Sequence, residues 1–391
     1  MAGMARFRVS RILGIPASNV LEQRHHFFLL YDYSSRTSTG FSYATAAAKA
    51  ADPSGHQFLV DFLTSSLNFS RNDAVSAAAK VPSFKSQTRP ALVVDYLKRV
   101  GMDPAHIKNA VYRCPKLLFL DPERTISPKI KCLQEFGIPE CDLVRLIVRD
   151  GLILCRGLES HLKPVLKFLR EAAGSDENYL KAFRRCSWLL SFGNHTRMEK
   201  NILLLQNFGL SKKQLKRMII TRPCYLTTNT DWVKKILIRV EKEFGIPRNS
   251  PMFPSGMFVA TALSETTVEK KFEVFRSFGW TDLEISGIVK RQPHCLTLSE
   301  DRLKKGLCFL MNELGYGPDY LTLRPKLLMS SLEKRTIPRS QVLKILKENN
   351  LRTSTLSTTI SWSNSKFSEI YLMPYKDKLP GIQKYITIMT M

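Results

Sequence analysis

The stretch Asp103–Gly137 has the sequence DPAHIKNAVYRCPKLLFLDPERTISPKIKCLQEFG, and it contains one complete unit of the fold. Asp103 is a suitable N-cap, and the proline that follows it favours the first position of a helix. Apolar residues then recur on one helical face until Pro115, which ends the helix because it has no N–H to donate. After a short apolar turn, a second helical pattern runs to Gly137, since glycine adopts the left-handed cap conformation at little cost.

The same pattern recurs along the chain with a period of 34 to 37 residues. Its most regular marker is a glycine beside apolar residues, at Gly101, Gly137, Gly174, Gly209, Gly245, Gly279 and Gly315. A proline before an apolar patch is the second marker, at Pro82, Pro115, Pro223, Pro293 and Pro325. Gly151 and Ser187 stand where two units would have this proline. A helix pair of this size cannot bury its apolar face alone, so the units must stack on one another.

The sequence therefore predicts an all-α protein, a superhelical solenoid of about eight repeats of about 35 residues between residues 56 and 351. No run of alternating β-branched residues competes with this interpretation. The unit from Gly245 to Phe278 is expected to be irregular, because three prolines between Pro247 and Pro254 predict a bend. Beyond residue 351 the pattern stops, and residues 352–391 are expected to form a C-terminal cap or tail.

Residues 1–50 have the composition of an organellar transit peptide, because they are rich in Arg and Ser and contain only two acids, Glu22 and Asp32. Arginine dominates the opening stretch, which favours the mitochondrion over the chloroplast. Removing the segment takes away six bases and two acids, so the rest keeps +21 of the net charge of +25. The basicity therefore belongs to the part of the chain that is predicted to fold.

A net charge of +25 attracts polyanions, and nucleic acid is the commonest of these. One set of bases precedes the break between the two helices: Lys80, Arg113, Arg149, Arg185, Arg222, Arg291 and Arg324. A second set lies near the start of the second helix: Lys129, Lys131, Lys163, Lys200, Lys234, Lys235, Lys270, Lys271, Lys304 and Lys305. Equivalent positions share one face of a solenoid, so each set is expected to form a basic stripe that contacts phosphates.

Structural explanations compete with this interpretation of the bases. Lys and Arg commonly cover exposed helix faces, and a cation near a helix C-terminus offsets the helix dipole, as the arginines before the break would. The lysines lie near a helix N-terminus, where the dipole disfavours cations, so their recurrence favours a ligand. The alternative function is a basic helical-repeat scaffold that binds a protein partner in the organelle.

The sequence contains no pattern typical of an enzyme, a metal centre or a cofactor site. It has no Gly-rich phosphate loop, no H-E-x-x-H helix and no nucleophile elbow. The eight cysteines and seven histidines lack metal-ligand spacing, and the cysteines are expected to be free thiols. No apolar run approaches the ~18 residues of a membrane helix. We therefore expect a monomer that binds nucleic acid, with no catalysis, cofactor, small-molecule substrate or membrane association.

Several stretches resemble the plant form of the mitochondrial transcription termination factor (mTERF) family, over roughly residues 58–386. The stretches are Leu63–Ser70, Ala74–Val81, Cys114–Leu118, Asp121–Glu123, Ile337–Arg339, Lys366-Phe367 and Pro374–Pro380. The resemblance implies two α-helices and a 3₁₀ turn per repeat, and an electropositive concave groove that binds duplex DNA or organellar RNA. It also implies action in transcription termination or initiation, intron splicing or ribosome assembly. A pentatricopeptide-type RNA reader has a similar period but lacks the proline in mid-repeat.

Overall fold

The computed structural model of the chain describes residues 53–81, 86–186 and 188–390. The predicted transit peptide, residues 1–50, lies outside this part, and so do the repeat positions of Pro82 and Ser187. The described residues are divided between two compact units, one up to Lys234 and the other from Lys235. Their regular secondary structure is entirely helical, which confirms the all-α prediction. Within this part of the chain, every helix is too short or too polar to cross a bilayer.

The N-terminal unit consists of helix pairs connected by short turns. Its α-helices are α1 Pro53–Leu67, α2 Arg71–Ala78, α3 Arg89–Arg99, α4 Pro104–Arg113, α5 Ser127–Glu135, α6 Glu140–Arg149, α7 Lys163–Ala173, α8 Asp176–Arg185, α9 Leu189–Phe192, α10 His195–Asn207, α11 Lys212–Thr221, α12 Cys224–Thr227 and α13 Thr230–Lys242, which contains the boundary. The 3₁₀ turns are Pro115–Phe119 and Gly151–Cys155. The π-helical turns Pro122–Ile126 and Leu158–Leu162 lead directly into α5 and α7.

The C-terminal unit continues the same alternation. Its α-helices are α14 Phe253–Ala262, α15 Glu265–Ser277, α16 Asp282–Arg291, α17 Glu300–Leu307, α18 Pro318–Leu323, α19 Lys326–Met329, α20 Ile337–Glu348, α21 Leu356–Thr359, α22 Asn364–Tyr371 and α23 Pro380–Thr390. The 3₁₀ turns are Pro293–Thr297 and Met373–Tyr375, and the π-helical turns are Cys308–Glu313 and Leu332–Thr336. After the last repeat, α23 packs against α20 and α22.

The unit that contains Pro115 folds as its sequence predicts. The Asp103 carboxylate accepts a hydrogen bond from the backbone N–H of His106 at 2.6 Å, and α4 begins at the next residue. That helix ends at Arg113, and Pro115 opens the 3₁₀ turn. The same elements of the next unit stack on these, because α4 packs against α6 and the turn Pro115–Phe119 packs against Gly151–Cys155. The arrangement of two helices and a 3₁₀ turn is therefore confirmed in this repeat.

The repeats end in left-handed residues, and two of these are not glycine. All seven repeat glycines have positive φ angles, between +60° and +96°. Asn68 and Asn350 also have positive φ, at +53° and +59°. They lie about one period before Gly101 and one period after Gly315, so asparagine takes the glycine position at both ends of the series. Asparagine is among the non-glycine residues that adopt this conformation most readily, and a search for glycine alone missed it.

The repeat glycine at position 279 offers a direct test of this conformational requirement. Its φ is +79°, and a Cβ added there would meet no heavy atom within 4 Å. The Gly279→Ala variant is therefore expected to lose about 1 kcal/mol of unfolding free energy through backbone strain alone. Gly279→Asn is expected to lose less than Gly279→Ala in urea denaturation. Equal losses would indicate that the left-handed conformation does not set this position.

The unit that begins at Gly245 is irregular, as its prolines predict. Turns occupy residues 248–249 and 251–252, and α14 starts only at Phe253. Leu263 and Ser264 alone separate α14 from α15, so this unit has no separate turn between its helices. Ser264 caps α15 by accepting a hydrogen bond from the Thr267 backbone N–H. The second helix of the repeat is thus retained while the first half is remodelled.

Candidate nucleic-acid interface

The arginines that precede the break lie at the ends of the first helices of their repeats. Arg113, Arg149 and Arg185 are the last residues of α4, α6 and α8, and all three are exposed. Nη1 of Arg113 donates to the backbone carbonyl of Arg149 at 3.2 Å. Nη1 of Arg149 donates in the same way to the carbonyl of Arg184, also at 3.2 Å. Each guanidinium therefore reaches the end of the next first helix, and the arginines follow one edge of the N-terminal unit.

These contacts give the arginines a structural function in addition to their charge. A guanidinium at a helix C-terminus interacts favourably with the helix dipole and with carbonyls that have no partner inside the helix. It has five N–H donors, and one contact of this kind uses a single donor nitrogen. None of these three arginines lies within 4.0 Å of a carboxylate oxygen among the described residues. Their charges are therefore not neutralised locally by an ion pair.

The other three predicted arginines are also at helix ends but differ in exposure. Arg291, the last residue of α16, is exposed, whereas Arg222 and Arg324 are half-buried caps of α11 and α18. The Arg324 guanidinium lies over the ring of Tyr320, 4.0 Å from its centroid. The shared helix-end position predicted from the repeat is present, but these arginines do not present equal charge to solvent.

Most of the predicted lysines are exposed on the second helices. Lys131 is exposed, and so is a set at similar repeat positions: Lys200, Lys234, Lys235, Lys270, Lys304 and Lys305. The lysines of this set lie nine to eleven residues before the glycine or left-handed residue that closes their repeat. Lys163 occupies an equivalent place and forms an ion pair with Glu159 at 2.5 Å. Apart from Lys163, these lysines are in the second turn of their helices. The helix dipole has little effect there, so it does not disfavour a cation at these positions. Their recurrence therefore gives no evidence for a ligand on that ground.

Two predicted phosphate ligands, Lys129 and Lys271, lie in the core instead. Lys129 is 6% exposed, and its Nζ donates to the carbonyl of Leu154 at 2.5 Å. Lys271 is 5% exposed, and its Nζ lies 4.0 Å from the Glu300 carboxylate. Burial lowers the pKa of both lysines. Because their ammonium groups are enclosed by protein, neither can contact a phosphate on the surface.

The repeat register contained the signal that these two lysines are internal. Both stand eight residues before the glycine that closes their repeat. At the same position other repeats have apolar residues that are at most 1% exposed: Leu166, Leu237, Leu307 and Val342. A sequence comparison by charge alone groups Lys129 and Lys271 with the exposed lysines, whereas a comparison by repeat position separates them.

Buried polar side chains connect successive repeats, and sequence analysis missed them. Asn201 is fully buried at the position equivalent to Lys129. Its Nδ2 lies 2.9, 3.0 and 2.8 Å from the carbonyl oxygens of Tyr225, Leu226 and Thr228. These carbonyls belong to the turn of the next repeat, where the last groups of a short helix lack intrahelical partners. Asn201 therefore fastens one repeat to the next.

Basic side chains make the same kind of connection in other repeats. Nη1 of Arg239 donates to the carbonyls of Ala260 and Leu263 at 2.8 and 2.7 Å. Arg302 reaches the carbonyl of Met329 at 2.9 Å, and Lys129 and Arg339 act similarly in their repeats. Part of the positive charge of the chain therefore stabilises the stacking of repeats and is not available to a ligand.

The buried and exposed lysines are expected to respond differently to loss of charge. The Lys200→Met variant should lower the salt dependence of nucleic-acid binding by about one phosphate contact, because this ammonium group is exposed. Lys129→Met should leave the salt dependence unchanged, since its ammonium group is enclosed. Both variants can be titrated against one labelled duplex at several salt concentrations. If the two variants lowered the slope of log affinity against log salt equally, the assignment of Lys129 to the core would be contradicted.

A cleft of different chemistry lies in the C-terminal unit. It has a volume of about 580 Å³ and is bordered by α15 and α16. Its apolar lining consists of Phe244, Val268, Phe272, Ile285 and Val289. Four acids surround it, Glu243, Glu265, Glu269 and Asp282, and Arg276 pairs with two of them at 2.6 and 2.9 Å. The acidic rim makes this cleft unsuitable for a phosphate backbone.

The sequence profile of one protein family, described as mTERF, matches residues 94–250 and 257–368. These two segments cover well over half of the chain. The chain belongs to the mTERF family. The match includes the predicted arginines from Arg113 to Arg324 and the predicted lysines from Lys129 to Lys305. The family indicated by the sequence resemblance is therefore confirmed.

Two relatives of this mTERF chain carry related names. One is "Transcription termination factor MTERF15, mitochondrial" from Arabidopsis thaliana, 23% identical over 289 residues, with 73% of this chain and 59% of that protein covered. Another is "Transcription termination factor 3, mitochondrial" from Drosophila melanogaster, 21% identical over 271 residues, with 68% and 66% covered. The chain thus spans about three-fifths and just under two-thirds of the length of these relatives.

This mTERF chain keeps the turn in the repeat in which Gly151 replaces the usual proline. Gly151 opens a 3₁₀ turn of five residues, the same length as the turn that Pro115 opens one repeat earlier. A Cβ at Gly151 would lie 3.1 Å from the Cβ of Cys114, so the glycine permits close packing of the two turns. The departure from the family pattern therefore has a local packing reason.

Proposed function

We propose that this mTERF protein binds nucleic acid through exposed repeat bases and thereby regulates mitochondrial gene expression. The step is transcription termination, another stage of transcription, or intron splicing. The observation that carries the proposal is the contact series in which Arg113 reaches Arg149 and Arg149 reaches Arg184. It aligns the basic helix ends of consecutive repeats along one edge, as contact with an extended polyanion requires.

The physical basis is the match between repeated cations and repeated phosphates. Each phosphate that a Lys or Arg neutralises releases counterions, so affinity increases with the number of exposed bases in contact. The exposed bases proposed for these contacts are Arg113, Arg149, Arg185, Arg291, Lys200, Lys234, Lys235, Lys270, Lys304 and Lys305, and the half-buried members of the same two sets are Arg222, Arg324 and Lys163. Such contacts position a strand without reading its sequence. The ligand class is therefore duplex DNA or RNA, and no base-reading residue is assigned.

Two observations support a mitochondrial location. The names of both relatives include the word mitochondrial. Residues 1–50 contain six bases, many Ser and Thr and two acids, the composition of a segment that directs import. We therefore propose a mitochondrial location, where the ligand would be the organellar genome or its transcripts.

The proposal can be tested in cells with the full chain carrying a C-terminal fluorescent tag. We expect the tag to coincide with a mitochondrial dye, and ultraviolet cross-linking to recover labelled nucleic acid with the protein. Digestion with DNase or RNase then separates action on the genome from action on transcripts. Fluorescence in plastids would contradict the mitochondrial location. The proposed interface would be contradicted if the unmodified chain recovered no more labelled nucleic acid than a variant with Arg113→Gln, Arg149→Gln and Arg185→Gln.

The acidic cleft beside α15 and α16 favours a second candidate function, a scaffold that binds a protein partner. A peptide segment with basic and apolar side chains complements the rim of Glu243, Glu265 and Glu269 and the apolar walls. This alternative predicts that reversing Arg185, Arg222 and Lys235 to Glu leaves nucleic-acid affinity almost unchanged. It also predicts that Glu265→Lys abolishes binding of a labelled Arg- and Leu-containing peptide. Retained peptide binding by Glu265→Lys would exclude this use of the cleft.

A further inference from the structure

Two thiols meet where the turns of successive repeats stack. Cys114 immediately precedes the turn Pro115–Phe119, and Cys155 is the last residue of the turn Gly151–Cys155. Their Sγ atoms are 3.7 Å apart, although the residues are separated by 41 positions in the chain. Cys114 is 3% exposed, whereas Cys155 is partly exposed. Cys155 is therefore the more exposed residue of the pair, and Cys114 is the buried one.

The surroundings of Cys155 are positively charged. The buried Lys129 ammonium donates to the carbonyl of Leu154, the residue next to Cys155. Within the described residues, the Lys129 ammonium forms no ion pair at 4.0 Å or less. A hydrogen bond from the Cys114 thiol, followed by the charges of Lys129, Lys116 and Arg156, lowers the pKa of Cys155. The hydrogen bond to Cys155 and burial raise the pKa of Cys114. The two thiols therefore differ, because the pKa of Cys155 is lowered and that of Cys114 is raised.

We propose that Cys155 is a peroxide-reactive thiol and that Cys114 is its resolving partner, so that oxidation joins the two turns by a reversible disulfide. A partly exposed cysteine with cations nearby and a second cysteine in contact is the arrangement found in cysteines that respond to oxidants. The inference rests on the thiol contact and on the buried lysine, and it does not depend on the nucleic-acid function proposed above.

The chemistry needs a hydroperoxide as oxidant. The Cys155 thiolate attacks one peroxide oxygen, the O–O bond breaks, and Cys155 becomes a sulfenic acid as hydroxide leaves. The Cys114 sulfur then attacks the sulfenic sulfur, its proton combines with the departing hydroxyl group, and water is released as the S–S bond forms. Cys155 is oxidised by two electrons, peroxide is reduced, and a dithiol reductant reverses the result.

The geometry requires a small movement. An S–S bond is about 2.0 Å long, so the sulfurs must approach each other by about 1.7 Å through side-chain rotation. The backbones are already close, because the two turns pack directly and Gly151 permits contact with Cys114. The bond would close a loop that spans a whole repeat, so the oxidised chain is expected to unfold at a higher temperature than the reduced chain.

The test uses the reduced full chain, treated with increasing hydrogen peroxide, quenched and alkylated with N-ethylmaleimide before digestion and mass spectrometry. We expect a peptide pair linked through Cys114 and Cys155 at about tenfold less peroxide than modifies Cys141 and Cys308, which are exposed thiols elsewhere. The Cys114→Ser variant should instead accumulate a sulfenic acid on Cys155 that dimedone traps. Cys155→Ser should give neither product at Cys114.

Matched lysine variants test the proposed activation of Cys155. Lys129→Met should slow peroxide modification of Cys155, because it removes the buried cation, whereas Lys131→Met changes an exposed lysine two residues away and should not. Circular dichroism of each variant checks that the fold is retained. Oxidation of Cys141 and Cys308 before any link between Cys114 and Cys155 would overturn the proposal. So would equal rates for the two lysine variants, provided that both fold.

Discussion

Neutralising Arg113, Arg149 and Arg185 together, each to Gln, is expected to weaken nucleic-acid binding by about 100-fold near 100 mM salt. Glutamine removes the charge and retains an N–H donor on a shorter side chain. Three lost phosphate contacts should lower the slope of log affinity against log salt by about 2 to 3 for duplex DNA. Fluorescence anisotropy of a labelled duplex, at several salt concentrations, measures both quantities.

The control for this variant changes three other exposed bases of the same unit. Lys98, Arg170 and Lys181 form ion pairs with Asp95, Asp176 and Glu177, so their charges are already compensated. Changing these three to Gln removes the same formal charge and should reduce affinity by less than about threefold, through the general field of the protein alone. If the control loses as much affinity as the arginine variant, binding depends on net charge and not on the aligned helix ends.

Replacing Arg339 with Met is expected to lower the unfolding free energy by about 3 kcal/mol. The Arg339 side chain is fully buried in the C-terminal unit, and its Nη1 donates to the carbonyls of Thr359 and Trp362. Nη2 donates to Oδ1 of Asn364 at 2.8 Å, and the guanidinium lies over the ring of Phe367. Burial lowers the pKa of Arg339 to about 10, which leaves it charged at neutral pH. Methionine would leave these acceptors without their donor.

Urea denaturation followed by circular dichroism measures this loss. A surface variant on the same helix, Lys344→Met, is the control, because Lys344 makes only an exposed pair with Glu348 at 3.9 Å. Its unfolding free energy should change by less than about 0.5 kcal/mol. An Arg339→Met protein as stable as the control would mean that the guanidinium does not hold residues 359–364 to α20.

Local features of the repeat were predictable from sequence because one or two residues determine them. Proline ends the first helix of a repeat, such as α4, because it has no N–H to donate. Glycine ends the second helix, because it adopts a positive φ angle at little cost. Asn68 and Asn350 were missed because asparagine usually signals a turn and only its register identifies it as a cap. The π-helical turns that precede α5 and α7 have no sequence signature known to us.

The distribution of charge was less predictable, because the same residue type serves two purposes. Lys129 and Lys200 carry the same charge and differ by one position in the repeat, yet one is enclosed by the next repeat and the other is exposed. Which of them is internal depends on how a neighbouring repeat packs, and this is a contact between residues about 25 positions apart. The contacts from Arg113 to Arg149 and from Arg149 to Arg184 likewise depend on the stacking distance between repeats. Periodicity located the candidate stripes, and packing decided which members remain on the surface.

The most direct measurement is the salt dependence of binding by the unmodified full chain to duplex DNA and to single-stranded RNA. Titrations between about 50 and 300 mM salt should give a slope of magnitude about 4 or more for at least one ligand, since several exposed bases contact phosphates together. The ligand that binds more tightly then indicates whether the protein acts on the genome or on transcripts. Weak binding to both, with a slope below about 1, would contradict a phosphate-binding surface built from the repeat bases.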